Sequence, residues 1–261
     1  MILDIIVDRK KEEVARLKQG GVHLPDEFAE REIAAPRGFR ESLLAFPGVA
    51  IIAEAKKASP SKGLICSDFD IEKIVSHYEN EGAQAISVLT DVDFFQGSLL
   101  YLLKARKKIS LPVLRKDFII DEIQVEEASL FGADAILLIA AILDEKQLRD
   151  YYIHAKELQM DVLVEVHNEA ELEKTMKIDC DLIGVNNRNL NDFSVDIETT
   201  FRLKKYVPET IPLVSESGLK SSDDIARLHD NGICAALIGE SLMRAGTDGA
   251  TPASLRNGSL S

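Results

Sequence analysis

Short, uninterrupted runs of aliphatic residues recur along the chain at nearly regular intervals. The eight runs cover residues 49–55, 85–89, 112–115, 135–139, 162–166, 182–185, 212–214 and 235–238. Strands that are buried on both faces read as continuous apolar runs, whereas half-exposed strands alternate apolar with polar residues. Each run therefore predicts one strand of a parallel sheet.

The stretches between most of these runs carry a helical pattern. Residues 70–82 place apolar side chains at the i, i+3, i+4, i+7 spacing of one helix face, and residues 144–158 repeat this pattern. Ser221, followed three residues later by Asp224, is typical of a capping box and predicts a further helix. Strands thus alternate with helices along most of the chain.

Eight strand–helix units in about 200 residues predict an α/β fold, a (β/α)8 TIM barrel. The alternative is an open, doubly wound sheet, because the sequence does not prove closure. We expect a single domain over residues 1–261, with the barrel at 49–246, a helical extension at 1–48 and a flexible tail at 247–261. The extension reads as an amphipathic helix and a short second helix at 39–45. These helices either cover the N-terminal end of the barrel or pack beside the mouth of the site.

Composition narrows the range of partners. The chain of 261 residues has 44 Asp and Glu against 31 Lys and Arg, a formal net charge of −13. This surplus disfavours nucleic acid and anionic membranes, which bind basic surfaces, and at first sight also a small anionic substrate. Three widely spaced cysteines and five scattered histidines indicate neither disulfides nor a metal site. We expect a monomer in a reducing cytoplasm, without a signal peptide or membrane span.

Charged and polar residues lie at the carboxyl ends of four predicted strands, where barrel enzymes carry their catalytic groups. They are Glu54 and Lys56 after the first run, Lys116 after the third, Glu165 at the end of the fifth, and Asn186 with Arg188 after the sixth. Alternate side chains along a strand share a face, so these residues converge if their apolar neighbours point inward. Burying such charges without a purpose is costly. The convergence predicts a site, although Glu54 and Lys56 alone would also fit a rim ion pair.

Two glycines, Gly218 and Gly239, follow the seventh and eighth runs, and a helix follows each. In such barrels, backbone N–H groups and helix N-termini at these loops bind phosphate. The alternative is that each glycine only permits a tight turn. Their joint position favours phosphate binding, and we expect the Glu240 carboxylate to turn toward solvent.

Several segments together resemble the signature of the indole-3-glycerol phosphate synthase family. They are 54–63 (EAKKASPSKG), 116–118 (KDF), 164–166 (VEV), 184–190 (GVNNRNL), 215–218 (SESG) and 237–240 (LIGE). Their order and spacing agree along nearly the whole chain. The first segment is highly specific, whereas the glycine motifs are shared with many barrels. One departure is Ala55, where the family usually has a larger apolar residue and where we expect the side chain to face the helix layer.

The resemblance implies a (β/α)8 lyase of tryptophan biosynthesis that needs no cofactor. Its reaction converts 1-(2-carboxyphenylamino)-1-deoxyribulose 5-phosphate to indole-3-glycerol phosphate, carbon dioxide and water. The implied catalytic residues are Glu54, Lys56, Lys116, Glu165, Asn186 and Ser217. The implied substrate and phosphate contacts are Ser59, Phe95, Phe118, Arg188, Leu190, Glu216, Gly218, Gly239 and Glu240.

The resemblance also implies distinct roles for the three buried charges. Lys116 would be the general acid for the reacting ketone, and Lys56 would orient the substrate carboxylate. Glu165 would stabilise positive charge on the anilinic nitrogen or accept a proton in the final dehydration. We expect the two ammonium groups to lower each other's pKa, with Glu54 opposing that shift.

Two other functions fit the same fold. An isomerase or epimerase of sugar phosphates needs an acid/base pair but gives no reason for lysines on both the first and third strands. A barrel that only binds a phosphorylated metabolite has no use for Lys56, Lys116 and Glu165, whose burial is costly. The sequence therefore favours the synthase reaction.

Overall fold

A closed barrel of eight parallel strands forms the centre of the computed structural model. The structure describes residues 2–28, 34–190, 192–245 and 251–257. In chain order the barrel strands are β1 (Ala50–Ala55), β2 (Ala85–Leu89), β3 (Val113–Lys116), β4 (Ala135–Ile139), β5 (Asp161–Val166), β6 (Ile183–Asn186), β7 (Leu213–Glu216) and β8 (Ala235–Ile238). The barrel closes where β1 pairs with β8, with Ala50 opposite Ala235. The (β/α)8 prediction is confirmed, and the open sheet is excluded.

In the described residues an α-helix follows each barrel strand; two further α-helices precede the first strand, and one follows the helix after the last strand. They are α1 (Ile2–Gly20), α2 (Phe39–Leu44), α3 (Ile71–Asn80), α4 (Leu99–Lys108), α5 (Glu122–Leu130), α6 (Glu145–Glu157), α7 (Glu169–Met176), α8 (Glu198–Lys204), α9 (Ser222–Asp230), α10 (Glu240–Ala245) and α11 (Pro252–Asn257). The predicted capping box is present at α9, where the side chains of Ser221 and Asp224 each accept a hydrogen bond from the other's backbone N–H.

The alternation of side chains along each strand divides the core into two layers. One parity, which includes Ile52 on β1 and Leu163 on β5, fills the barrel interior. The other parity packs against the helices and includes Ala55, as expected. At the carboxyl ends the inward positions become polar, as at Glu54 and Glu165. The apolar interior therefore ends in a layer of buried charge.

The two helices of the extension lie at opposite ends of the barrel. Phe39 and Leu43 of α2 are fully buried and join the interior apolar cluster at its N-terminal end. Lys10 of α1 instead reaches Asp91 and Asp117, which follow β2 and β3. Both positions considered for the extension are occupied, one by each helix.

A buried ion-pair network fixes α1 to the barrel. Lys10 is 2% exposed, and its Nζ lies 3.0 Å from Asp91 Oδ2 and 2.8 Å from Asp117 Oδ1. Asp117 also contacts Arg115 Nη2 at 3.1 Å. Burial acts to lower the pKa of Lys10, but the two aspartates raise it above its ordinary value. Lys10 therefore stays charged inside the protein.

The C-terminal segment differs from its prediction as a flexible tail. Residues 252–257 form α11, whose Leu255 is 1% exposed. Arg256 donates from Nη2 to the Gly82 carbonyl at 2.9 Å and lies over the Phe46 ring, 4.8 Å from its centroid. Apolar burial and these cationic contacts dock the helix on the barrel. The rest of the predicted tail, 247–250 and 258–261, lies outside the described residues.

Replacing Lys10 by methionine should destabilise the protein by about 3 kcal/mol, because breaking a buried ion pair leaves uncompensated buried carboxylates. Lys11→Met is the matched control, since Lys11 is 65% exposed in its pair with Asp8 and exposed pairs contribute only about 0–1 kcal/mol. Urea unfolding measures both variants. Equal unfolding midpoints for the two would contradict a structural role for the buried network.

Candidate active site

A cavity of about 680 Å³ opens at the carboxyl ends of the barrel strands. Fourteen of the fifteen predicted site residues line it. The fifteenth, Ser59, is half-buried in a short hairpin formed by Ala58–Ser59 and Gly63–Leu64. Lys62, from the turn of the same hairpin, lines the cavity instead. The strand ends chosen from the sequence therefore do converge on one space.

An ion pair between Lys56 and Glu54 lies at the end of β1. Lys56 Nζ donates to Glu54 Oε1, and the side chains are 18% and 5% exposed. A Cβ on Gly239 would lie 2.3 Å from the same Glu54 oxygen. Gly239 thus makes room for this carboxylate, a role that the sequence did not indicate.

Lys116 lies between two buried glutamates. Its Nζ donates to Glu165 Oε2 at 2.9 Å and lies 3.4 Å from Glu216 Oε2, and both glutamate side chains are 2% exposed. One ammonium group cannot neutralise two carboxylates that are this deeply buried. Their sharing of one ammonium group favours a proton on one of the two glutamates.

The pKa values of the two glutamates are shifted in opposite directions. Burial raises the pKa of Glu216, and the charge of Glu165 raises it further against the effect of Lys116. Burial acts in the same direction on Glu165, but Lys116 and His167 lower its pKa below the ordinary value. Burial would lower the pKa of Lys116, yet the carboxylates, Glu165 first, raise it. The expected mutual lowering of the lysines is thus overcome at Lys116.

His167 adjoins this cluster, although the sequence analysis assigned it no role. Its Nε2 lies 3.4 Å from Glu165 Oε1, and its Nδ1 lies 3.0 Å from Glu171 Oε2. Burial would lower the pKa of His167, but the hydrogen bond to Glu171 and the charge of Glu165 raise it. The sequence did offer one signal for a role of His167, namely its position two residues after Glu165.

Two cationic side chains mark the rim of the cavity. Lys62 Nζ and Arg188 Nη2 each lie 3.9 Å from a carboxylate oxygen of Glu240. Glu240 is 33% exposed and lies between these cations instead of turning freely to solvent as expected. Two cations thus lie beside the Glu240 carboxylate on the rim, in a protein whose net charge is −13.

Phe95 and Phe118 form an aromatic wall, with ring centroids 6.0 Å apart. Asp91 accepts a hydrogen bond from the Phe95 N–H at 3.2 Å, and Asp117 accepts one from the Phe118 N–H at 2.8 Å. The same two aspartates bind Lys10 of α1. The N-terminal extension is thereby tied to the aromatic side of the cavity.

After β7 the chain turns through two residues with positive φ, Ser217 at 68° and Gly218 at 84°. A Cβ on Gly218 would also lie 2.4 Å from Val195 Cγ1, so the position needs glycine on both grounds. Gly218 does permit a tight turn, and it also lines the cavity. The left-handed backbone of Ser217 is a strained conformation of the kind that clusters at functional sites.

The cavity wall also contains residues that the sequence analysis did not select. They include Leu137 and Ile139 from β4 and Phe193, Val195 and Asp196 from the loop after β6. Leu137 and Ile139 belong to the apolar interior of the barrel. No pattern in the sequence distinguishes such residues from ordinary core and loop positions.

Within the described ranges, no three His, Cys, Asp or Glu side chains are grouped so as to hold a metal ion. No helix described by the structure is long and apolar enough to cross a membrane.

The closed barrel, with a charged cavity at the carboxyl ends of its strands, defines a (β/α)8-barrel enzyme. The family model described as indole-3-glycerol phosphate synthase matches residues 3–252. The chain belongs to this family, which confirms the resemblance noted in the sequence and the assignment to the lyases.

Individual relatives agree with the family assignment. The indole-3-glycerol phosphate synthase of Desulfotalea psychrophila (strain LSv54 / DSM 12343) is 68% identical over 248 residues, covering 95% of each chain. That of Chlorobium chlorochromatii (strain CaD3) is 50% identical over 242 residues, covering 92% of this chain and 94% of the relative. Among solved structures, the N-acetylmannosamine-6-phosphate 2-epimerase from Clostridium perfringens aligns with a TM-score of 0.59 and 16% identity. That alignment covers 75% of this chain and 88% of the epimerase and shows the fold alone.

Replacing Glu216 by glutamine should stabilise the protein at alkaline pH. Because the pKa of this carboxyl is raised in the folded state, folding loses stability as the pH rises from about 4.3 through about 8. Glutamine does not ionise, so the gain in Tm over the wild type should widen across this range. Thermal denaturation at several pH values measures it, with exposed Glu209→Gln as the control. A gain that is constant or shrinks with pH would refute the protonated state of Glu216.

Proposed function

We propose that this protein closes the indole ring of indole-3-glycerol phosphate, with loss of carbon dioxide and water from 1-(2-carboxyphenylamino)-1-deoxyribulose 5-phosphate. The observation that carries the proposal is the pair of partly buried lysines, Lys56 and Lys116, which are held by different carboxylates inside one cavity. The substrate's phosphate, ketone and carboxylated ring match the cationic rim, the ammonium groups and the aromatic wall. Family membership favours this reaction over an isomerase, an epimerase or a non-catalytic binder.

The phosphate is assigned to the loops after β7 and β8. Gly218 and Gly239 line the cavity there, and Arg188 and Lys62 lie on the same rim. Backbone N–H groups together with two cations suit a phosphate dianion. In the free protein Glu240 pairs with these cations, and in the complex the phosphate takes over that pairing. Lys62 replaces Ser59 in this assignment.

The aromatic ring of the substrate is assigned to the opposite wall. Phe95 and Phe118 offer ring faces and edges, and Leu190 adds apolar surface. Aromatic pairs prefer offset or edge-to-face contacts, which this tilted pair of phenylalanines can provide on one side of the substrate ring. Such contacts would hold the reacting ring carbon toward the centre of the cavity.

Lys116 is the proposed general acid. Ring closure joins an aromatic carbon to the ketone carbon, and the ketone oxygen must gain a proton as this bond forms. The carboxylates keep Lys116 protonated despite its burial. A shift of Glu165 from Lys116 toward the substrate nitrogen would remove the strongest opposing charge, and the pKa of Lys116 would then fall when the proton is needed.

Lys56 is assigned to the substrate carboxylate. Glu54 holds its ammonium group at the end of β1, and a carboxylate that approaches Lys56 brings the carbon about to lose carbon dioxide into the cavity. This contact positions the ring carbon that carries the carboxylate, whereas Lys116 protonates the oxygen of the ketone carbon.

Glu165, Asn186 and Ser217 complete the proposed machinery. Glu165 stabilises positive charge on the anilinic nitrogen or accepts a proton in the dehydration. Asn186 hydrogen-bonds to Glu165 and accepts from the Arg188 N–H at 3.0 Å, which fixes its amide. Asn186 and Ser217 are assigned to the sugar hydroxyls. Assembly as a monomer in the cytoplasm, without a metal ion or organic cofactor, forms part of the same proposal.

Incubation of the purified protein with the carboxyphenylamino-deoxyribulose phosphate should produce indole fluorescence with EDTA present. The reason is that proton transfer from Lys116, and not from a metal-bound group, drives ring closure. The absence of product at micromolar enzyme would contradict the proposed reaction.

Replacing Lys116 should remove turnover while leaving binding of a phosphate-bearing analogue largely intact. Lys116→Ala should lower kcat by about 10²–10⁴, the usual contribution of a general acid. Lys116→Arg keeps the positive charge but does not release a proton, so it should also be inactive. Lys146→Ala, at a lysine that is 85% exposed, should match the wild type. An active Lys116→Arg enzyme would show that charge, and not proton donation, is what the reaction needs.

A further inference from the structure

We propose that His167 and Glu171 form a proton inlet that carries one proton per turnover from solvent to Glu165 and from there to Lys116. The inference rests on the ring-closure reaction proposed above. It assigns a function to two residues that lie outside the machinery described for that reaction.

The reaction consumes a proton. Conversion of the ketone oxygen to water takes two protons, and formation of the aromatic indole returns only one, from the carbon next to the nitrogen. The substrate's ionised carboxylate leaves as neutral carbon dioxide, so charge balances only if each turnover takes one proton from solvent. The buried acid Lys116 must therefore be recharged in every cycle.

Glu165 and His167 face two different cavities. Glu165 lines the candidate active site, whereas His167 and Glu171 line a second cavity of about 710 Å³. The second cavity is also lined by the exposed residues Asp4 and Arg202, which place it within reach of solvent. The 3.4 Å separation between His167 Nε2 and Glu165 Oε1 joins the two spaces.

The contacts of His167 determine where its protons lie. Glu171 Oε2 lies 3.0 Å from Nδ1 and accepts from the His167 backbone N–H at 2.8 Å, while its Oε1 accepts from Asn168 at 2.7 Å. A carboxylate only accepts hydrogen bonds, so Nδ1 carries a hydrogen. A neutral ring would then turn the lone pair of Nε2 toward the Glu165 carboxylate, and two acceptors repel. This repulsion favours a proton on Nε2, on the side of the ring that faces Glu165 across 3.4 Å.

This proton is free to move. Nε2 is buried and, within the described part of the chain, has no hydrogen-bond partner that would hold it. The carboxylates that act on the ring are Glu165 on β5, Glu171 on α7 and Glu216 on β7. Asp4, Arg188 and Arg202 line the same second cavity, and Lys116 lies beyond Glu165. Burial lowers the pKa of His167, and these carboxylates raise it again. The three carboxylates around the ring therefore favour its charged form.

Transfer runs through three groups. After Lys116 has protonated the ketone, His167 Nε2–H protonates the Glu165 carboxylate, and Glu165 passes that proton to the lysine amine across 2.9 Å. The ring then carries one proton. Rotation of the imidazole ring then brings the deprotonated nitrogen to the second cavity, where solvent protonates it again beside Glu171. One proton enters from solvent for each proton that the reaction consumes.

The test is the progress curve of His167→Asn. The first turnover draws on the proton already present on Lys116 and should proceed at the wild-type rate, whereas later turnovers should slow by about tenfold. The expected curve is a burst of one product per site followed by a slower steady rate. Added imidazole should restore the steady rate by carrying protons through the second cavity. Without imidazole, the steady rate should decline at lower pH than in the wild type.

His229→Asn is the matched control, because this imidazole also lies 3.4 Å from a carboxylate, Asp230, but is 66% exposed. It should behave as the wild type. Glu171→Gln removes the charge that holds the imidazolium and should also move the decline of the steady rate to lower pH, which tests the relay without deleting the ring.

Two results would overturn the inlet. One is a His167→Asn enzyme with the wild-type steady rate and pH profile. The other is a variant that is slowed equally in first and later turnovers and does not respond to imidazole, which would indicate a structural role. An inactive wild-type protein would instead refute the ring-closure reaction, so the two failures are distinguishable.

Discussion

The candidate site depends on one buried ion pair, between Lys116 and Glu165, which meet at 2.9 Å at the end of an apolar barrel. Either charge alone would be costly at this depth, because removing one partner of a buried pair leaves the other uncompensated. Each group sets the ionisation of the other: Lys116 keeps Glu165 charged, and Glu165 keeps the lysine protonated. Glu216 shares the same ammonium group at 3.4 Å, and burial together with the charge of Glu165 raises its pKa and favours its protonated form. One cavity thus contains a charged acid, Lys116, a charged base, Glu165, and a carboxyl group whose neutral form is favoured, Glu216.

Helices of the extension attach to the two ends of the barrel through different interactions, and this difference leaves the cavity at the carboxyl end open. At the N-terminal end, Phe39 and Leu43 of α2 seal the interior with apolar contacts. At the carboxyl end an apolar seal would remove the cavity, and α1 is instead attached at its side by Lys10. The aspartates that bind Lys10 also hold the backbone of the aromatic wall. The extension therefore contributes to the geometry of the cavity as well as to the stability of the fold.

The fold could be predicted because buried parallel strands leave continuous apolar runs, and the site because charges that end such runs must converge in a closed barrel. What the sequence could not show depends on side-chain conformation and packing between distant segments. Lys62, and not Ser59, reaches the cavity because of the path of the short hairpin. Gly239 is adjacent to Glu54 only across the pairing of β1 with β8. The docking of α11 was missed because Leu255 and Arg256 stand among small polar residues. The net charge of the chain did not reveal that cations lie on the rim of the cavity.

The central claim is that carboxylates outweigh burial and keep Lys116 charged. NMR titration of the lysine side chains, with the Lys116 signal assigned from the Lys116→Arg variant, measures this directly. The account predicts that the Lys116 ammonium group persists past the ordinary lysine pKa of about 10.4. Loss of its proton near or below neutral pH would mean that burial outweighs the three glutamates, and would contradict the proposed arrangement of charge in the site.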